Sequence, residues 1–285
     1  MDLYASERKY WQGDDGQYLA YIDRGQGPTI LLLHGWPESL YAWRHVIPRL
    51  SQEYRVIAPD LPGLGDSDRA LGTYAKADIA AQIRRLLSYL KIETCVVVGH
   101  DWGGVVAFCL AASYPEMATH LVTLDITIPG DGRAAYSEHG RRWHHALHQI
   151  NDLPEILIEG REKEYYGWFW DYYGYKAGAI TELDKQEYLR TYRRAGTLRT
   201  GLAYYRSIPE DARWVQLHLE QQGLIATPTL ALGGAKAYGR GESAVESLSM
   251  VAKDVIGCSV PDVGHWLPEE APAFVCDEIL KFIKN

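Results

Sequence analysis

Short, unbroken apolar runs bounded by turn residues recur along the chain. They are TILLLHG (Thr29 to Gly35), YRVIAPD (Tyr54 to Asp60), CVVVGH (Cys95 to His100), HLVTLD (His120 to Asp125), PTLALGG (Pro228 to Gly234) and GCSVPDVG (Gly257 to Gly264). Continuous rather than alternating apolarity predicts strands covered on both faces, as in a parallel sheet. Ahead of them, KYWQGDDGQYLAYIDRGQGP predicts an antiparallel pair around an Asp-Gly turn. Helical patterns separate most of the runs: KADIAAQIRRLLSYL sets Ile79, Ile83, Leu86, Leu87 and Leu90 on one stripe. The segment after Gly103 and the closing APAFVCDEILKFI behave alike. Strand alternating with helix predicts an α/β fold, a mostly parallel doubly wound sheet with right-handed crossovers.

The alternation fails once, from about Thr127 to Gln222. Here the chain turns helical, polar and aromatic, with RRWHHALHQI, EYYGWFWDYYGYK and LRTYRRAGTLRTGLAYYRSI. A helical insertion between two core strands accounts for this. Open α/β sheets bind ligands beyond the strand C-terminal ends, so the insertion is expected to act as a lid. The expected organisation is a core from residues 1–126 and 223–285, with a helical cap from 127–222.

Composition narrows the partners. Of 285 residues, 47% are hydrophobic and 23% charged, the balance of a soluble globular chain. The net charge, 29 − 37 = −8, argues against nucleic acid, which calls for clustered Lys and Arg. The one Arg-rich stretch, Arg190 to Arg206, is interleaved with Tyr and Leu and follows Glu182, Asp184 and Glu187, so it predicts a salt-bridged helical surface. No run has signal-peptide or membrane-spanning character, so no membrane partner is expected. Cys95, Cys109, Cys258 and Cys276 sit singly in apolar segments, the pattern of buried free thiols in a cytoplasmic protein. Neither metal-ligand spacing nor a Gly-rich phosphate loop is present, so no metal or cofactor is expected.

The chemistry concentrates at CVVVGHDWGGVVAF. A strand running into Gly-His-Asp-Trp-Gly and then a helix outlines a nucleophile elbow with Asp101 where serine is usual. A carboxylate there can attack an sp³ carbon and become an alkyl ester, whereas serine attacks acyl carbons. Hydrolysing that ester requires a base that activates water and donors for the oxyanion. His265, between the last strand and the last helix in VPDVGHWLPEEAP, fits the base.

With LLLHGWPES, these segments carry a resemblance over essentially the whole chain to the α/β-hydrolases. Within that fold the chain resembles the epoxide hydrolases, whose HG-x-P and GHDWGG signatures stand at His34 to Pro37 and Gly99 to Gly104. The resemblance implies Asp101 as nucleophile, His265 as base, and the backbone amides of Trp36 and Trp102 as oxyanion donors. It places the acid that supports His265 at one of two positions, Asp125 or Glu242, and Asp125 is favoured. It further implies two lid donors to the epoxide oxygen. Tyr205 in AYYRSI matches the second. His144 matches the first, as in a bacterial subset with a His/Tyr pair in a Trp-His context; Tyr136 and Tyr166 are the substitutes. His34 and His100 are read as loop-structuring, and Glu269 and Glu270 as opening the final helix against its dipole.

The main rival shares the nucleophile. Dehalogenases of this fold also attack carbon with Asp, often using the Trp after it for the halide, and Trp102 is present. Many of them carry Asn where Trp36 stands, and those acting on haloacids carry arginines beside the nucleophile, where this chain has Trp102, Gly103 and Gly104. A non-catalytic binding module is the remote alternative. The expected activity is cofactor-independent conversion of an apolar or aryl epoxide to a vicinal diol. The expected partner is that small molecule, with a homodimer left open.

Overall fold

The computed structural model describes residues 7–70, 72–133, 138 and 140–284. Eight strands form one sheet: β1 (Lys9–Gln12), β2 (Tyr18–Arg24), β3 (Thr29–Leu33), β4 (Arg55–Pro59), β5 (Cys95–His100), β6 (Ala118–Leu124), β7 (Thr229–Gly234) and β8 (Val255–Val260). Their order is β1-β2-β4-β3-β5-β6-β7-β8. Only β2 runs against its neighbours; every other pairing is parallel. The register sets Leu33 beside Gly99 and His100 beside Leu124. The C-terminal ends of β3, β5 and β6 therefore finish level, and the residues just beyond them meet.

The continuous apolar runs fall on these strands, and β5 is buried throughout. The sixth run departs from the expectation. β8 ends the sheet, and most of its residues are partly or fully exposed, with Ile256 at 59%. One of its edges has no neighbour to cover it, which apolarity alone does not reveal. Cys258 is consequently exposed and corrects the reading of four buried thiols; Cys95, Cys109 and Cys276 are buried, and all four are free.

The core helices are α1 (Ile47–Leu50), α2 (Lys76–Tyr89), α3 (Trp102–Ser113), α10 (Glu242–Ser249), α11 (Leu267–Glu270) and α12 (Pro272–Ile283). Helix α3 is buried on every side from Trp102 to Ala112, which its Gly, Ala and Val residues permit. Between β6 and β7 the described residues form six consecutive helices: α4 (Trp143–Gln149), α5 (Leu153–Ile158), α6 (Glu162–Tyr172), α7 (Glu182–Tyr192), α8 (Thr197–Arg206) and α9 (Ile208–Gln222).

Buried polar contacts fasten these inserted helices to the core. Tyr204 and Thr200 hydroxyls donate to the Pro62 and Gly63 carbonyls at 2.8 and 2.7 Å. Arg44 bridges Asp184 of α7 at 3.1 Å and Glu269 at 2.6 Å. The arginine-rich stretch is salt-bridged as its composition predicts: Arg190 meets Asp66 and Glu187, and Arg206 meets Glu155. Among the described residues no helix is long and apolar enough to cross a membrane.

Candidate active site

Asp101 stands between β5 and α3 with φ 49° and ψ −126°, a conformation L-residues rarely hold. Such strain costs about 1–3 kcal/mol and persists only where the surroundings over-determine it. Glycines make that possible. A Cβ on Gly103 would lie 2.2 Å from the Leu33 carbonyl oxygen, and one on Gly35 would lie 2.4 Å from Asp101 Cβ. The loop after β3 thus presses directly on the carboxylate, and the Trp36 amide donates to Asp101 Oδ1 at 3.0 Å.

His34 shapes that loop. The Leu61 N–H donates to its Nε2 at 3.0 Å, so Nδ1 carries the proton and donates to the Gly35 carbonyl at 2.8 Å. Burial pushes His34 down to about 4, which keeps it neutral in this arrangement. Trp102, the second expected oxyanion donor, is the first residue of α3, where backbone N–H groups have no acceptor within the helix.

His265 reaches both carboxylates. Its Nε2 lies 3.6 Å from Asp101 Oδ2, and its Nδ1 lies 2.6 Å from Asp125 Oδ2. Asp125 is fully buried beyond β6, and its Oδ1 accepts from the Gly234 and Arg240 amides at 2.8 and 2.7 Å. Burial pushes the Asp125 carboxyl up, but the His265 hydrogen bond and charge, joined by Arg142 and the Arg240 amide, outweigh it and hold the group below the usual carboxylate range. Asp125 is the carboxylate at the ring; Glu242 opens α10.

Beneath them, His100 donates from Nε2 to the His265 carbonyl at 2.8 Å and from Nδ1 to Glu38 at 2.9 Å. Burial opposes a charge on His100, but Glu38 overrides it and the imidazolium is held up to about 9.

Above Asp101 the inserted helices supply a roof of rings around the Trp36 indole. Its centroid lies 4.8 Å from His148, 4.9 Å from Phe169, 5.2 Å from Tyr205 and 6.2 Å from a parallel His144. Gly201 makes room, since a Cβ there would sit 2.8 Å from Trp36 Nε1. One turn on, buried Tyr205 touches Trp102 with centroids 5.0 Å apart. Burial, then the Asp101 charge, pushes the Tyr205 phenol well up against an opposing contact from Trp102, so it stays protonated.

His144 lies 5.4 Å from the Tyr205 ring, and its Nδ1 bonds the Tyr173 hydroxyl at 2.9 Å. Burial first, then neighbouring His145, His148, Arg142 and Arg240, pushes His144 well down, so it is neutral. Tyr166 packs edge-on to Trp36 at 5.7 Å, and its buried hydroxyl makes no hydrogen bond among the described residues. Tyr136 lies outside the described residues. Among the described residues no group of three or more His, Cys, Asp or Glu side chains is arranged to hold a metal ion.

A family model described as alpha/beta hydrolase fold matches residues 28–272. The soluble epoxide hydrolase of Corynebacterium sp. (strain C12) is 36% identical over 276 residues, 94% of each chain. The chain belongs to the epoxide hydrolases of the α/β-hydrolase family. Solved structures agree. The epoxide hydrolase CorEH without ligand superposes with a TM-score of 0.89 at 33% identity, covering 97% of this chain and 98% of that one. The wild-type Cfl2 of Burkholderia cenocepacia gives 0.91 at 38%, covering 96% and 95%.

Some residues of this α/β-hydrolase site were invisible in the sequence. Tyr173 and Lys76 carried no motif, and their places follow from long-range packing: Lys76 lies buried with its ammonium 4.1 Å from the Trp102 ring centroid. Glu269 and Glu270 stand in the first turn of the short α11, while the final helix α12 that follows has no acidic residue in its first turn. Glu269 also pairs with Arg44 and accepts from the Tyr188 hydroxyl, and burial pushes it up to about 7. Glu270 turns to backbone amides around His265.

Proposed function

We propose that the chain hydrolyses uncharged, apolar or aryl-bearing epoxides to vicinal diols through a covalent ester on Asp101, with residues 127–222 as the lid over the core of 1–126 and 223–285. The observation that carries this reading is the pair of contacts on one carboxylate: Trp36 N–H on Oδ1 and His265 Nε2 near Oδ2. Oδ1, held by the amide, remains the carbonyl oxygen, and Oδ2 attacks the less hindered ring carbon. The carbon–oxygen bond of the epoxide breaks, and the proton its oxygen needs comes from Tyr205, paired with His144.

Tyr173 sets the His144 tautomer in this scheme. A Tyr173 hydroxyl donating to Nδ1 leaves Nε2–H of a neutral ring to face the alkoxide. Water then adds to the ester carbonyl as His265 takes its proton. Asp125 stabilises the resulting imidazolium, and the Trp36 and Trp102 amides hold the oxyanion, each such donor being worth about 3–4 kcal/mol of barrier. As the tetrahedral intermediate collapses, the bond from the Asp101 carbonyl carbon to the alkyl oxygen breaks, the proton left on the added hydroxyl passes to that oxygen to complete the diol, and the His265 imidazolium proton restores the Tyr205 phenol. The ring-lined roof favours uncharged substrates, because a charge brought there loses its water without a partner.

Trapping tests the reaction. The His265→Gln variant is incubated separately with styrene oxide and with a primary haloalkane, and intact and peptide masses are measured. An adduct of full epoxide mass on the Asp101 peptide is expected; an alkyl adduct from the haloalkane alone makes the chain a dehalogenase.

A further inference from the structure

The loop that carries His265 is gripped from behind by one carboxylate. Glu270, 5% exposed, accepts from the Gly264 amide at 3.1 and 3.0 Å to its two oxygens and from the Trp266 amide at 3.0 Å. Those two residues flank His265. The same carboxylate accepts from the amides of Tyr175 and Lys176 at 2.8 and 2.9 Å, in the segment between α6 and α7. Four backbone donors on one buried anion form a set of charge-assisted bonds, the stronger class of hydrogen bond.

That segment also meets the reacting groups twice through Tyr173. Its carbonyl accepts the His265 N–H at 2.9 Å, and its hydroxyl bonds His144 Nδ1 at 2.9 Å. The backbones touch: a Cβ on Gly264 would lie 2.7 Å from both the Tyr173 oxygen and the Tyr175 nitrogen.

We propose that Glu270 is a positioning residue that registers the base against the inserted helices, fixing His265 relative to the segment that orients His144. The proposal rests on the reading of His265 as the base that activates water. Glu270 touches no reacting atom and acts through the ring next to its amide partners. Glutamine at 270 turns an NH₂ group toward a backbone N–H, so at least one of the four contacts becomes donor against donor. A displacement of His265 by about 1 Å suffices to slow water activation by as much as ~10²-fold.

The test uses Glu270→Gln in the full chain, with styrene oxide in single turnovers that follow ester formation and decay by quenched mass spectrometry. Ester decay is expected to slow by about tenfold or more, with formation affected less, so the ester accumulates. Adding Glu270→Gln to His265→Gln should slow decay no further, because the ring through which Glu270 acts is gone. Independently of turnover, the His265 Nδ1 proton shared with Asp125 should shift or broaden in the NMR spectrum of the folded Glu270→Gln variant. An unchanged decay constant with an unchanged resonance overturns the proposal, as does further slowing in the His265→Gln background. Should the parent enzyme form no ester with any epoxide, the reaction assignment fails while the resonance still decides the role of Glu270.

Discussion

Asp211 takes both donors of Lys76, the backbone N–H at 2.7 Å through one oxygen and the ammonium at 2.8 Å through the other. A residue of the inserted helix α9 therefore caps the core helix α2 and neutralises the buried lysine at its first position, where no local side chain caps. Removing one partner of such a pair leaves an uncompensated buried charge. Asp211→Asn is expected to cost about 3–5 kcal/mol, read from urea unfolding midpoints. A loss under about 1 kcal/mol would mean that the lysine finds its compensation elsewhere.

Asp125→Asn removes the charge behind His265 while keeping its shape. Ester decay should slow by about 10²–10⁴-fold, with ester formation far less affected, and the covalent species should become visible by mass. Undiminished decay would shift the supporting role to another carboxylate.

Tyr205→Phe deletes the phenol beside Trp102 and leaves His265 and Asp125 in place. Ester formation should slow by about 10²-fold, the usual worth of a positioned acid, with decay unchanged. A formation rate equal to that of the parent would take Tyr205 out of ring opening. Gly201→Ala, one turn earlier, should slow both steps, because its Cβ must displace the Trp36 indole 2.8 Å away.

Acid sensitivity follows from the buried histidines. Burial pushes His34 down to about 4 and His148 to about 3, and burial with neighbouring positive charge holds His144 and His145 well below their ordinary value. In the unfolded chain each takes a proton near 6.5, so between about 4 and 6.5 the unfolded state binds more protons. Their stabilisation is full above about 6.5 and is lost as pH falls. Asp60 and Glu269, pushed up to about 7 by burial, act in the opposite sense and favour the folded state at lower pH. His148→Phe isolates one histidine: between pH 6.5 and 5 its unfolding free energy should fall by about 2 kcal/mol less than that of the parent. Parallel pH profiles would refute this.

The strands, the elbow and the position of His265 were legible because each is local: an apolar run, a glycine-flanked turn, a histidine after the last strand. The preference for Asp125 over Glu242 came from the resemblance alone; its physical ground lies in β6 beside β7 and in the turn after β7 offering the Gly234 and Arg240 amides to Asp125, which no local pattern shows. Glu270 escaped for the same reason. Acidic residues beside a helix start have an ordinary local explanation, and only the folded chain brings Tyr175 and Lys176 to it. Exposure at β8 depends on sheet order, which composition does not encode.

Trp36 serves two masters. Its backbone N–H meets the Asp101 carboxylate from the core, while its indole is the post around which Phe169, Tyr205, His144 and His148 assemble. The two layers of this enzyme are therefore not interchangeable parts. A foreign helical insertion grafted onto this sheet would inherit Asp101 and His265 intact, yet it would have to rebuild the socket for one tryptophan before the amide beneath it could be trusted to hold its aim.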